Sequence, residues 1–141
     1  LRGDELPGPE RLPLLAEAFA AHSDATCALR VHGDPPPLPS EARVALFRTA
    51  QEALTNVRRH AAPGTRHVDV ELTYADGGAT LVVEDHGAGA PVAVGAADAD
   101  AGGPGGGYGL TGMRERAELV GGRLTAGPTA NGFRVELWVP A

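Results

Sequence analysis

Lysine is absent from this chain of 141 residues, and all 12 basic side chains are arginine. A phosphate-binding loop of the G-x-x-x-x-G-K-[ST] type needs its lysine, so that site is excluded. Cys27 is the only cysteine; no internal disulfide can form, and no cysteine-rich zinc site can be built. Ser23 and Ser40 are the only serines and neither stands in a nucleophile turn, which removes a Ser/His/Asp triad. The five histidines never fall into an H-E-x-x-H or similar ligand spacing, so no zinc is assigned. No apolar run approaches the roughly 18 residues of a membrane-spanning helix. Leu1 to Glu10 show neither the basic start nor the apolar middle of a signal peptide. A cytoplasmic location is the expectation. An opening on Leu-Arg-Gly-Asp also suits a piece of something longer, whose parent could be membrane-anchored. A net charge of −6 argues against nucleic acid as a partner, because that function needs a basic field.

What is present is a pattern of alternating element types. Leu12, Leu15 and Phe19 recur at helical steps behind Pro9, predicting a helix over 9–22. Residues 26–32 read as a strand closed by Gly33-Asp34 and three prolines. Ser40 is placed to cap a long helix over 41–61 that Pro63-Gly64 ends. Residues 67–74 and 79–84 alternate as two strands of a hairpin. Leu110 to Val120 forms another helix stopped by Gly121-Gly122, and 123–126 and 133–139 close the chain as two strands. Hairpins with helices gathered on one face make an α+β two-layer sandwich, and the length fits one domain over 1–141. Residues 86–108 carry almost no large apolar side chain and read as a mobile flap.

Three segments carry chemistry. In Gln51-Glu52-Ala53-Leu54-Thr55-Asn56-Val57-Arg58-Arg59-His60-Ala61, about 100° per residue places Glu52, Asn56, Arg59 and His60 within an arc of roughly 100°. Val44, Phe47, Ala50, Leu54 and Val57 form the apolar stripe expected opposite them. A carboxylate, a carboxamide, a guanidinium and an imidazole sharing one face suit a hydrated metal, a phosphate and a base edge, and Asn56 offers a neutral oxygen of the kind Mg²⁺ accepts. Asp85-His86-Gly87-Ala88-Gly89 stands at a strand end, where a carboxylate can accept a hydrogen bond from an exocyclic amine. Gly87 and Gly89 would let a flat ring approach the backbone. Gly107-Tyr108-Gly109-Leu110-Thr111-Gly112 matches G-x-G-x-x-G, but no strand precedes it and no acidic residue follows about 20 positions on, so a dinucleotide fold fails on context. What survives is backbone N–H groups and a helix N-terminus facing an anion.

With those segments in order, the chain resembles the ATP-binding catalytic domain of bacterial sensor histidine kinases, in the ATPase superfamily shared with gyrase and the large heat-shock chaperone. The likeness is to the subfamily of nitrate and membrane-fluidity sensors, known for Q-E-A-L-T-N-x-x-[KR]-H-A and G-[HY]-G-L-x-G-M-x-E-R runs. Both stand here, as 51–61 and 107–116. The resemblance covers 38–141 and leaves 1–37 as an N-terminal helix and strand. It implies the Bergerat ATPase fold, a mixed and mostly antiparallel sheet with three helices on one face. It implies ATP and Mg²⁺ as ligands, with Asn56 on the metal and Glu52 near the metal and phosphates, in the place of a base. Arg59 matches the cation that approaches the phosphates, and His60 the position beside the nucleoside. Asp85, Gly87 and Gly89 match the adenine box. Gly107, Tyr108, Gly109 and Leu110 match the box whose backbone meets the phosphates, and 90–106 match the ATP lid. Leu110 and Met113 match the helix that docks on the dimerisation helices.

Two departures stand out. Family members often carry Gly-Thr before the last strand, where this chain has Gly132-Phe133. The phosphoacceptor histidine with its following acidic residue is not found before Ser40. The expected activity is transfer of the γ-phosphoryl of Mg·ATP to a histidine on a separate helical dimerisation domain, for signalling to a response regulator. The isolated domain is expected to be a monomer. The alternatives are a free-standing anti-sigma-factor serine kinase or binding module of the same superfamily, and a hydrolytic ATPase of the gyrase sort.

Overall fold

The computed structural model describes residues 6–60, 67–75, 77–87, 110–130 and 132–141, with only the backbone at His60. A short 3-10 turn, Pro9–Arg11, leads into α1 (Leu12–Ala21). Then come β1 (Thr26–His32), α2 (Ser40–His60), β2 (His67–Ala75), β3 (Gly78–His86), α3 (Leu110–Leu119), β4 (Arg123–Pro128) and β5 (Phe133–Pro140). The strands form one sheet in the order β1-β2-β3-β5-β4. β1 runs parallel to β2, while β2–β3, β3–β5 and β4–β5 are antiparallel. The α+β two-layer sandwich read from the sequence is the fold observed. β1 and α1 belong to the same sheet and helix layer as the later elements.

Period-two alternation sorts the strands into two faces. Val68, Val70 and Leu72 of β2, Leu81 and Val83 of β3, and Val135, Leu137 and Val139 of β5 are all buried. Against them pack Leu12 and Phe19 of α1, Ala42, Leu46, Ala50 and Ala53 of α2, and Leu110, Met113 and Ala117 of α3. α2 lies over β3 and β5, with α1 beside β1 and α3 beside β4. The opposite face of the sheet carries polar and charged side chains and no helix among the described residues.

Several details differ from the sequence reading. β3 runs on through Asp85 and His86, because Val68 pairs with Asp85 and His67 with His86. The final hairpin is longer, with β4 reaching Pro128 and β5 reaching Pro140. On α2 the stripe sits differently: Ala42, Ala45, Leu46, Thr49, Ala50, Ala53 and Leu54 are buried, while Val44, Phe47 and Val57 are only half-buried. Four alanines and a threonine share this buried face with the two leucines, so it is not marked by large apolar side chains alone.

The end of α3 is a Schellman stop. Gly122 N–H donates to the Ala117 carbonyl at 2.8 Å and Gly121 N–H to that of Glu118 at 3.0 Å. Gly121 takes φ +78°, a conformation a side chain would resist.

Candidate functional site

Correcting the stripe on α2 also relocates its polar set. At about 100° per residue, Asn56 and Glu52 lie roughly 80° and 120° round from buried Leu46. They therefore border the core rather than oppose it, and they look toward α3. The Arg116 guanidinium confirms the direction: its Nη1 is 3.2 Å from Glu52 Oε1 and its Nη2 3.1 Å from Oε2. Both partners are half-buried, and the two contacts have the fork-on-fork form of a bidentate pair. Asn56 is half-buried one turn further along, and Arg59 is exposed one turn beyond that. His60 is the last residue of α2.

Asp85 supplies the second component. Its side chain falls on the helix-covered face, in line with Leu81 and Val83, where the alternation calls for an apolar residue. Only 6% of it is exposed. Burial pushes the carboxyl above its ordinary value, with a smaller raising effect from Glu84; a hydrogen bond from the Phe133 backbone N–H and the nearby His86 act the other way. Gly132 makes room for this arrangement. A Cβ there would overlap the Asp85 carbonyl oxygen and come within 2.5 Å of Oδ1. A carboxylate with that little solvent costs folding energy unless something pairs with it. A hydrogen-bond donor arriving from outside suits such a group.

The remaining positions divide plainly. Gly87 is half-buried directly after β3. Gly89, Gly107, Tyr108, Gly109 and the segment 90–106 lie outside the described residues. Leu110 opens α3 with 6% exposure and Met113 has none, so both side chains fill the core. The exposed apolar residue of α3 is Leu119, at 86%. Sequence reasoning assigned no role to Arg116, and it treated Gly132 and Phe133 only as a departure. A glycine just before a strand, opposite a buried acid, was the available signal.

Two other features are distinct from this site. On the open face, Asp69 accepts from His67 Nε2 and His86 Nε2, each at 2.9 Å, and Arg30 lies 3.4 Å away. Burial alone would raise the Asp69 carboxyl, but those hydrogen bonds and cations outweigh it and hold the group below its ordinary value. Among the described residues no group of three or more His, Cys, Asp or Glu is arranged to hold a metal ion. A cleft of about 180 Å³ between α1 and α2, lined by Leu15, Phe19, Leu54 and Arg58, lies on the flank of α2 away from Glu52 and Asn56.

A five-stranded sheet covered on one face by helices, with a buried acid at the end of β3, has known relatives. The chain belongs to the family of histidine kinase-, DNA gyrase B- and HSP90-like ATPases, whose profile matches residues 41–141. It is 34% identical over 115 residues to the sensor histidine kinase LnrJ of Bacillus subtilis, which covers 82% of this chain and 26% of LnrJ. It is 40% identical over 101 residues to the histidine-protein kinase/phosphatase UhpB of Salmonella typhimurium, covering 70% of this chain and 17% of UhpB. The chain thus spans about a quarter or less of these two relatives. The histidine kinase domain of the Erythrobacter litoralis EL346 blue-light activated kinase superposes with a TM-score of 0.66 at 23% identity, covering 93% of this chain and 63% of that one. That likeness shows the fold. Among the described residues no helix is long and apolar enough to cross a membrane.

Proposed function

We propose that this chain binds Mg·ATP and is the catalytic domain, over 1–141, of a cytoplasmic or membrane-anchored sensor histidine kinase. It would pass the γ-phosphoryl to a histidine on a separate dimerising helical domain, for relay to a response regulator. The observation that carries this is Asp85, a carboxylate buried on the helix-covered face beside a glycine that cannot be enlarged. Sensor kinases of the nitrate and fluidity type are the subfamily favoured by the 51–61 and 107–116 runs. The anti-sigma-factor reading draws no comparable support, since the relatives reported above are sensor histidine kinases and kinase/phosphatases.

In this reading Asp85 accepts a hydrogen bond from the exocyclic amine of adenine, and Gly87 and Gly89 let the ring approach. Asn56 offers its side-chain oxygen to Mg²⁺, an ion that keeps several waters and few protein ligands. The ion would neutralise phosphate charge when held there. Glu52 stands near the metal and phosphates as a candidate base, Arg59 approaches the phosphates and His60 the nucleoside. The backbone from Gly107 through Tyr108 and Gly109 to Leu110 meets the phosphates. Only the backbone of Leu110 can contribute, because its side chain is buried. Positioning and charge neutralisation supply most of the acceleration in such transfers.

Calorimetry with a non-hydrolysable ATP analogue tests the reading directly. Saturating ligand should stabilise the protein by about 3 kcal/mol at a hundredfold excess over Kd, more in magnesium than in chelator. No heat of binding and no thermal shift would overturn it. Labelling of the full-length kinase should give acid-labile phosphate that is lost in Asn56→Ala.

A further inference from the structure

We propose that Arg116 is a positioning residue for phosphoryl transfer, gripping both carboxylate oxygens of Glu52 and fixing that group on the flank of α2 that carries Asn56. The inference rests on the nucleotide reading above. A glutamate on a half-exposed helix flank has many rotamers, and fixing one of them costs conformational entropy. Two parallel contacts at 3.1 and 3.2 Å define both its direction and the plane of its carboxylate. Lysine, a single point charge, could not set that plane.

The grip is only as rigid as its base, and the base here is firm. α3 is pinned by Leu110, Met113 and Ala117, none more than 6% exposed. Arg116 sits immediately before Ala117, so its backbone is set by the core. Glu52 sits immediately before Ala53, which is 2% exposed. The pair therefore joins two anchored helices across the flank where Asn56 lies. It also offsets one negative charge there, leaving Arg59 uncompensated by Glu52 for incoming phosphates.

The test is made in the full-length kinase with Arg116→Ala, Arg116→Lys, Glu52→Gln and the double variant Glu52→Gln/Arg116→Ala. Three quantities are read: autophosphorylation rate, analogue affinity by calorimetry, and melting temperature without nucleotide. Arg116→Ala should slow autophosphorylation by about tenfold or more while changing affinity by less than about threefold. Its melting temperature should move by no more than about 4 °C. Arg116→Lys should recover part of the rate. The double variant should be no slower than Glu52→Gln alone, because Arg116 acts through Glu52. The proposal is overturned by an Arg116→Ala rate within about twofold of wild type, by losses that multiply in the double variant, or by a rate loss matched by weaker binding or a collapsed melting temperature. Failure of the wild-type protein to bind Mg·ATP is a separate result, and it removes the nucleotide reading beneath the proposal.

Discussion

Asp69 and Asp85 stand on neighbouring strands of one sheet and face opposite ways. Asp69 looks to the open face, where two histidines and Arg30 surround it and its carboxyl is held low. Asp85 looks to the covered face, where burial pushes its carboxyl up. One is already satisfied by its own protein; the other is built into the core layer with one backbone donor from Phe133. The environment of a carboxylate, more than its presence, separates a candidate binding group from a surface ion pair.

The contrast between faces can be challenged by deletion. Leu137→Ala on the covered face should cost about 2–5 kcal/mol in chemical denaturation, through a cavity in a layer where Leu137 has no exposure. Gly132→Ala should cost about 1–3 kcal/mol and weaken nucleotide binding, since the new methyl overlaps Asp85. Asp85→Asn should lower analogue affinity by about tenfold while leaving the apo protein as stable as wild type or more so, because a charge leaves an apolar setting. Equal affinities for the two proteins would remove Asp85 from base recognition. Glu71→Ala on the open face, where Glu71 pairs with His32 in solvent, should shift stability by no more than about 0.5 kcal/mol.

Acidity sharpens the same comparison. Asp85 has a raised folded-state pKa, so its contribution to apo stability is complete below its unfolded pKa and is lost as pH rises through the folded one. Asp69 has a lowered one, so its contribution is present above the unfolded pKa and is lost as pH falls through the folded value. Melting temperature against pH should keep its acid limb in Asp85→Asn and lose part of it in Asp69→Asn. The reverse assignment would mean the two environments have been exchanged.

Much of this was legible in the residues. The strands and α-helices of the described residues were legible in the sequence, most of them as an alternation or a stripe, since apolar periods of 2 and 3.6 survive in a single chain. β3 was cut short because Asp85 occupies an inward position, and a polar residue there reads as the end of a strand. The stripe on α2 was misplaced because Ala42, Thr49 and Ala53 give weak hydropathy signals yet are almost fully buried. The Arg116–Glu52 pair spans 64 residues of sequence, beyond any local pattern.

The parallel pairing of β1 with β2 has a consequence for how the molecule comes apart. Parallel neighbours cannot be joined by a tight turn, and here α2 makes the crossover between them. Among the described residues β1 is bonded on one side only, at the margin of the sheet, and its Cys27 and Leu29 are half-buried. Detaching it breaks one ladder and leaves β2, β3, β5 and β4 joined. β1 is therefore one margin from which the sheet can open, and its amide hydrogens should exchange with solvent well before those of the central strand β3.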